Sequence, residues 1–500
     1  MNQPQSARRR STKHVTVVGG GITGLSAAWY LQQAVNDGHA VTYTLLEASG
    51  RWGGKINTDY VQSGDLRFVI EGGPDSFITQ KPWALRLSRE LGLEDRLLPT
   101  NDDRRQTFVL NRGRPTPLPD GVMLIVPTKI APFVLSPLIS PLGKVRMGLD
   151  LLIPPRTDDG DETLADFISR RLGAEALDKI AEPLLSGIYN AEAEKQSIMA
   201  TFPRFRHIER KHGSLIKGMI AARGAAARSA PPSGSGRAPS IFVSFRDGMQ
   251  ELVEELVSRL HGDCRLGVEV EAIAPASHDN GQRDLLNHPR YALTLDDGSR
   301  LQTDAVILAI PAHHAAGLLQ SLAPHAAQKL HAIRYVSTGT ISLAYRSSEF
   351  NHPLDGFGVV IPRTEERSIN ALTWTSTKFD HRAPDNHVLM RAFFGGSRSP
   401  HMMDVDDETL LATVRREIGQ IMNEEASPLF HRIYRYYDAN PQYDVGHLER
   451  VLAIEEALPP GIYVTGSPYR GIGIPDCVHQ AQQTVARLVD QSVPSTEQAP

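Results

Sequence analysis

Apolar positions fall into short dense runs and longer spaced ones. Val15 to Val18 (VTVV), Val41 to Glu47 (VTYTLLE), Ala305 to Ile310 (AVILAI) and Ile462 to Gly466 (IYVTG) are nearly continuous and bounded by turn residues, a pattern that predicts buried strands. GLSAAWYLQQA after Gly24 and MQELVEELVSRL from Met249 repeat at helical spacing, and so does the region 163–182. Another helix is expected near Ile474. The region 331–395 contains alternating strand-like runs such as TISLAY and VLMRAFF. VEVEAI predicts a short strand, and Asp297-Gly298 predicts a hairpin.

The strand and helix signals divide into three stretches that read as one α/β domain interrupted by insertions. The expected division is a dinucleotide-type domain from 13–76, 241–315 and 446–492, and a second, mixed α+β domain from 77–115 and 316–445. A helical domain is expected at 116–221. Residues 222–240, ARGAAARSAPPSGSGRAPS, are low in complexity and read as a flexible loop.

Composition narrows this little. The 500 residues suit about three domain-sized units. With 41% hydrophobic and 22% charged residues the chain is an ordinary globular one, with a core large enough to need no staples. Cys264 and Cys477 are the only cysteines, so neither a disulfide framework nor a four-cysteine metal site is expected, and a reducing cytoplasm fits. A net charge of −4 gives no sign of nucleic-acid binding. The basic start MNQPQSARRRST leads into a strand rather than a signal peptide's apolar stretch. Val122 to Leu142 is the longest apolar approach, but Lys129 and four prolines interrupt it. It reads either as buried core or as a surface dipping into a bilayer.

The clearest chemistry lies just after the first strand. Gly19, Gly21 and Gly24 carry G-x-G-x-x-G spacing across Gly19-Gly20-Gly21-Ile22-Thr23-Gly24. Gly19 allows the tight turn, Gly21 lets backbone approach a pyrophosphate, and Gly24 lets the helix pack on the strand. The helix N-terminus offers free N–H groups to phosphate. Glu47 ends the next strand about 20 residues on, where a carboxylate accepts hydrogen bonds from a ribose.

The run Glu47-Ala48-Ser49-Gly50-Arg51-Trp52-Gly53-Gly54-Lys55 resembles the E-A-x-x-R-x-G-G-(R/K) extension of the amine oxidase and protoporphyrinogen oxidase superfamily of flavoproteins. That resemblance implies FAD, with Arg51 meeting the pyrophosphate through a forked contact and Gly53 and Gly54 admitting the ribityl chain and flavin ring. Gly466-Ser467-Pro468-Tyr469-Arg470-Gly471-Ile472-Gly473-Ile474-Pro475-Asp476-Cys477 resembles the C-terminal signature of oxygen-dependent protoporphyrinogen oxidases. So do Glu182 to Tyr189 and Gly73-Pro74-Asp75-Ser76-Phe77. Thr201 to Phe205, Lys211 to Ile216, Met249 to Val257 and Pro441 to His447 most resemble the Gram-positive branch that forms coproporphyrin III.

The resemblance spans about 14–489 and implies a Rossmann-like FAD domain, a substrate domain and a helical domain that contacts membranes in mitochondrial relatives. It implies oxidation of coproporphyrinogen III to coproporphyrin III in three two-electron steps, each moving hydride to the flavin and regenerating it with oxygen. Protoporphyrinogen IX is the alternative substrate. An amine oxidase, a carotenoid desaturase or a non-catalytic flavin protein are more distant readings. Implied FAD contacts are Gly19, Gly20, Gly21, Ile22, Thr23, Gly24, Glu47, Ala48, Arg51, Gly54, Lys55, Gly73, Pro74, Asp75, Ser76, Val270, Ile472, Gly473 and Ile474. Implied substrate contacts are Lys81 to a propionate, Gly187 at the reacting edge, and Leu343 and Phe357 on the pyrrole faces, although Lys81 is equally readable as a solvated surface lysine, Gly187 as part of a helix end, and Leu343 and Phe357 as plain core packing. No side chain is expected to act as a catalytic acid or base, because the flavin carries the chemistry. The basic run Arg204, Arg206, His207, Arg210, Lys211 and His212 reads as a solvated face or as a partner for extra propionates. Expected partners are the porphyrinogen, molecular oxygen, a membrane surface touched peripherally on its cytoplasmic side, and a ferrochelatase that receives the product. No metal is expected.

Overall fold

The computed structural model describes residues 12–63, 66–119, 122–123, 126–127, 130–229, 240–276 and 289–490. The stretch 222–240 is not a loop throughout: residues 222–229 continue the helix Leu215–Ser229, while residues 230–239 lie outside the described residues. Mixed sheets and helices build the molecule around several apolar cores.

Five short strands form a parallel sheet in the order Asp263–Leu266, Val41–Glu47, Lys13–Val18, Ala305–Leu308, Ile462–Val464. Strand alternation splits their side chains between two cores. Val15, Val17, Leu45 and Ile307 face the helices Ile22–Asn36, Gln250–Ser258 and Ile474–Asp490. Val18, Leu46, Val306 and Leu308 face the other way, against the antiparallel strands Val270–Pro275, Tyr291–Leu295 and Arg300–Thr303 and the helix Ala312–Leu319. Burial on both faces explains why these strands read as continuous apolar runs. The edge strand Asp263–Leu266 was not legible, because its polar DCRL sequence is only half-buried.

A seven-stranded sheet runs Phe430–Pro441, Tyr335–Arg346, His387–Gly395, Ala371–Thr373, Gly358–Val360, Thr107–Asn111, Arg114–Pro117. It is antiparallel except where Gly358–Val360 runs parallel to Thr107–Val109. One face is covered by the helix Asp407–Met422, through Leu410, Val414 and Ile418. Asp406 caps this helix by accepting the Thr409 N–H at 2.9 Å, and Asn423 ends it in the left-handed region. The opposite face meets the hairpin Thr58–Ser63/Leu66–Glu71 through Val61, Phe68 and Ala344.

The helices between 141 and 229 enclose a third core around Phe167, Ile180, Phe205 and Met219. The region 163–182 holds the helix Leu164–Arg171 and then a π-helix, Leu177–Ser186, that contains Pro183. Buried charges lock this unit. Arg171 Nε donates to Asp150 Oδ1 at 2.6 Å, and Asp150 Oδ2 also accepts from Ser214 Oγ and the Ile216 N–H. Arg206 donates to Glu209 and to the Asp158 carbonyl, and Arg210 donates to the same carbonyl and to Asp159. Arg206 is therefore committed inside the helical unit, while Arg210 makes its pair at the surface. No helix among the described residues is long and apolar enough to cross a membrane.

Candidate functional site

The turn after Lys13–Val18 is shaped by backbone proximity. Gly19 has φ +106° and donates its N–H to the Leu46 carbonyl at 2.8 Å. A side chain there would be strained and would also strike the Ala309 carbonyl, 2.7 Å away. A Cβ on Gly24 would stand 1.7 Å from the Gly19 carbonyl oxygen, so the helix rests directly on the turn. Gly21 is different: the nearest atom to a Cβ there is Gly54 Cα at 4.0 Å. Gly21 also pairs with Gly53 in an isolated bridge. The loop Arg51–Lys55 thus runs directly beside the turn, and a Cβ on Gly54 would stand 3.1 Å from Gly21 Cα. The helix Ile22–Asn36 has no side-chain cap at Gly21, so its first N–H groups are left for a ligand.

Glu47 sits at the rim of the turn. Its Oε2 accepts the Gly20 N–H at 2.6 Å and its Oε1 accepts the Ser49 N–H at 2.8 Å. Carboxylate oxygens have further lone pairs, so these bonds orient the group and leave acceptor capacity for a ribose. Ala48 is exposed next to it. Val268 N–H donates to the Glu47 carbonyl at 3.0 Å, which brings buried Val270 to the same end of the sheet.

Arg51 behaves otherwise than expected. Its guanidinium bonds the Gly54 carbonyl and, at 2.9 Å, the Ile56 carbonyl, so it closes its own loop. Lys55 donates to the Ala439 carbonyl, and burial pushes its amine down to about 8. A Cβ at Gly73 would lie 1.7 Å from the Lys55 carbonyl oxygen, so residues 72–76 pack directly on this loop.

A buried polar cluster fixes that second segment. Arg391 Nη2 donates to the Gly72 and Gly73 carbonyls at 2.8 and 2.5 Å, and Thr340 Oγ1 donates to Gly72 at 3.1 Å. Asp75 accepts from Lys378 at 2.8 Å and from Ser76 at 2.7 Å. Burial works against its charge, but Lys378 and Arg391 overcome it and hold the carboxyl well below the usual range. Asp75 and Ser76 therefore spend these groups on shaping the loop. Arg391 and Thr340 were not picked out in the sequence, although an arginine inside the apolar run VLMRAFF was the available signal.

Glu71, just before this loop, is buried. It accepts from the Met249 N–H and Thr58 Oγ1, both at 2.8 Å. Burial pushes its carboxyl up to about 7, against the opposing charge of Arg382. Between about pH 4.5 and 7 the unfolded chain has released this proton while the folded chain keeps it, so stability should fall as pH rises through that window. The contribution is on the order of 3 kcal/mol. Glu71→Gln should flatten this part of the curve in urea melts from pH 5 to 8; an unchanged slope would exclude Glu71 as its source.

The C-terminal segment closes the site. A Cβ at Gly466 would lie 2.8 Å from Thr23 Oγ1, so the loop 466–473 lies on the first turn of the helix Ile22–Asn36. Tyr443 holds this loop, donating to the Ser467 carbonyl at 2.6 Å and accepting the Gly471 N–H at 2.8 Å. Its ring stacks on buried His447 at 4.0 Å, and burial pushes that imidazole down to about 4. Next to Tyr443, Gln442 donates to the Tyr189 carbonyl at 3.0 Å. Ile472 packs against Tyr189 and Tyr443, and Ile474 begins the final helix. Cys477 is buried with its thiol pushed up to about 11, which makes it inert at neutral pH.

The substrate-side expectations fare unevenly. Gly187 is exposed, faces open space, and starts the short turn Gly187–Tyr189 that reaches Ile472. Lys81 pairs with Asp476 in the first turn of the final helix, so it does stand at this junction. Leu343 is corrected: it is fully buried beneath the helix Asp407–Met422. Strand parity is the reason, because Ile341, Leu343 and Tyr345 face the core, while Thr340 on the other face reaches Gly72. Phe357 is half-buried, and its backbone bonds to Gln106 and Trp374 tie it into the sheet rather than to the glycine loops. His313 packs edge-on against Tyr335 at the start of its helix, as a structural residue does. A separate cavity of about 590 Å³ lies between residues 182–194 and 361–401; its arginines are paired with Glu182, Glu194 and Glu417.

The local chemistry here suits the phosphates of a flavin dinucleotide. Glycine backbone lies beside an uncapped helix N-terminus, and the Glu47 carboxylate stands at its rim. No group of His, Cys, Asp or Glu side chains among the described residues suits a metal ion.

Comparison with known proteins bears on the whole chain. The family model for flavin containing amine oxidoreductases matches residues 22–489. The coproporphyrinogen III oxidase of Bacillus subtilis (strain 168) is 36% identical over 484 residues, covering 95% of this chain and 97% of that protein. The coproporphyrinogen III oxidase of Propionibacterium freudenreichii is 34% identical over 97% of this chain and 93% of its own length. Among solved structures, an Exiguobacterium sp. 255-15 protein provisionally named a protoporphyrinogen oxidase superimposes with a TM-score of 0.82 at 33% identity, over 97% of this chain and all of that one.

Proposed function

The chain belongs to the family of flavin-containing amine oxidoreductases, and from that premise we propose that it oxidises coproporphyrinogen III to coproporphyrin III in heme biosynthesis, with FAD as cofactor and oxygen as final acceptor. The observation that carries this reading is the end-to-end similarity to coproporphyrinogen III oxidases, joined to the close packing of the 51–55, 72–76 and 466–473 loops around the Gly19–Gly24 turn. Protoporphyrinogen IX is the competing substrate, and the Exiguobacterium similarity favours keeping it as the comparison.

When bound, FAD supplies the two-electron acceptor. The chain's residues do the rest by position. Gly19, Gly20, Gly21 and Gly24 give the pyrophosphate room, and the N–H groups of Ile22 and Thr23 and the helix dipole offset its charge. Glu47 holds the adenosine ribose, with Ala48 and Val270 beside it. Gly54, Lys55 and the 73–76 loop border the ribityl chain. Ile472, Gly473 and Ile474 would hold the ring, and the N-terminus of the helix Ile474–Asp490 would offset negative charge that develops on reduction. Gly187 leaves open space for the macrocycle, and Lys81 meets a propionate. The three-part division at 13–76 with 241–315 and 446–492, 77–115 with 316–445, and 116–221 follows from the same reading.

The test is anaerobic. FAD-loaded protein mixed with coproporphyrinogen III should lose its visible flavin absorption and regain it on admission of air. Flavin that stays oxidised with this substrate, while the protein remains folded, would sink the reading.

Peripheral membrane contact is part of the proposal. Leu135 and Leu142 are each 83% exposed and Leu152 is 80% exposed, on neighbouring segments of the helical unit, with Val134 and Val145 beside them. Isolated exposed leucines are ordinary, but a group of this size suits a lipid surface. Replacing Leu135, Leu142 and Leu152 together by Asp should abolish co-sedimentation with liposomes and leave coproporphyrinogen oxidation in detergent-free buffer intact. Equal sedimentation of both proteins would reject this face. Release of product at such a surface would suit transfer to a ferrochelatase.

A further inference from the structure

Two opposite charges meet where the cofactor and substrate segments converge. Lys81 Nζ lies 2.7 Å from both Oδ1 and Oδ2 of Asp476. The Asp476 side chain is 14% exposed and that of Lys81 46%. The carboxylate lies against the preceding loop: a Cβ at Gly471 would be 2.6 Å from Asp476 Cγ, and one at Gly473 would be 3.1 Å from Oδ2. Trp83 stacks on His479 at 3.9 Å, which fixes the Lys81 segment along the same helix. Lys81 is thus a half-exposed cation held by a mostly buried anion that cannot leave, because its backbone belongs to the helix start.

An ammonium spent on both oxygens of one carboxylate presents little net charge to an arriving anion. A substrate carboxylate must therefore replace or share Asp476 at Nζ. Where the incoming group fits the geometry, it shares Nζ with Asp476 and gains the cation. Where it does not fit, the anion meets Asp476 without gaining Lys81, and is repelled.

We propose that Asp476 is a specificity-determining residue that competes with a substrate carboxylate for Lys81. The proposal rests on the reading that the substrate is a porphyrinogen with a carboxylate at Lys81. It makes Asp476 a selector of correctly placed carboxylates, and it makes the affinity of the site for anions lower than its cations alone would give.

The experiment uses the FAD-loaded protein and coproporphyrin III as the probe, with binding followed by porphyrin fluorescence polarisation at low and high salt. Asp476→Asn should bind the probe about 2- to 5-fold more tightly, the range of one partly exposed ion pair. Its KM for coproporphyrinogen III should fall by a similar factor, with the change in KM exceeding any change in kcat. Asp476→Ser, which keeps a small polar side chain without the charge, should tighten binding in the same way and covers the case that the asparagine variant folds poorly. In a Lys81→Met background the tightening should vanish, while Lys81→Met alone should weaken binding. Tightening that persists without Lys81 would overturn the competition in favour of a general charge effect. If Lys81→Met weakens binding but both Asp476 variants bind as the parent does, this inference fails and the reading of Lys81 stands. If Lys81→Met has no effect, the reading of Lys81 itself fails.

Discussion

Gly24→Ala should purify without flavin and bind added FAD at least about 10-fold more weakly than the parent, with a loss of 100-fold within the expected range. The added Cβ would stand 1.7 Å from the Gly19 carbonyl oxygen, and both atoms belong to backbone that cannot swing aside. The helix Ile22–Asn36 must move off the turn, and overpacking of this kind costs about 1–3 kcal/mol or more. That displacement falls on the N–H groups proposed to hold the phosphates, so the cost appears as lost affinity, about tenfold for each 1.4 kcal/mol. Gly50→Ala is the control, because nothing lies within 4 Å of a Cβ there and its backbone is not left-handed. Titration of apo-protein with FAD, followed by quenching of flavin fluorescence, reads both. Equal affinity for the two variants would refute the close packing of turn and helix.

Arg391→Met should destabilise the protein by about 3–5 kcal/mol, the cost of breaking a buried charge cluster from one side. The methionine fills similar volume but leaves the Gly73 carbonyl without this donor and the Gly72 carbonyl with Thr340 alone, and it leaves Asp75 with Lys378 as its hydrogen-bonded cation. Because residues 72–76 rest on the Lys55 loop, FAD affinity should fall together with stability. Urea melts followed by far-ultraviolet circular dichroism and by flavin fluorescence measure the two effects. A variant with the parent's midpoint would show that Arg391 does not hold this loop.

The same two residues mark what could be read in the chain and what could not. Gly24 was legible because its role is local: the turn, the strand before it and the helix after it lie within a few residues of one another. Glu47 and the loop Arg51–Lys55 were legible for the same reason. Arg51 was legible as a residue but not in its contacts, since a guanidinium that folds back on the Gly54 and Ile56 carbonyls is a three-dimensional outcome. Arg391 lies more than 300 residues beyond the carbonyls it serves, and only the pairing of its strand with Tyr335–Arg346 brings it there. Leu343 failed through parity: a run such as TISLAY announces a strand, but which alternate set faces the core depends on a helix that lies later in the chain. Tyr443 was noticed as part of a motif, yet its phenol's work on Ser467 and Gly471 appears only once the loop is folded. Long-range polar contacts thus account for most of what the sequence left hidden, and the glycine turn, made of local backbone, for most of what it disclosed.

The most direct measurement compares aerobic oxidation of coproporphyrinogen III and protoporphyrinogen IX by the FAD-loaded protein, side by side, through the growth of porphyrin fluorescence. The account predicts turnover of both with a higher kcat/KM for coproporphyrinogen III, whose four carboxylates include one for Lys81. Fluorescence that does not grow above the rate of buffer alone with either substrate, or a clear preference for protoporphyrinogen IX, would contradict it.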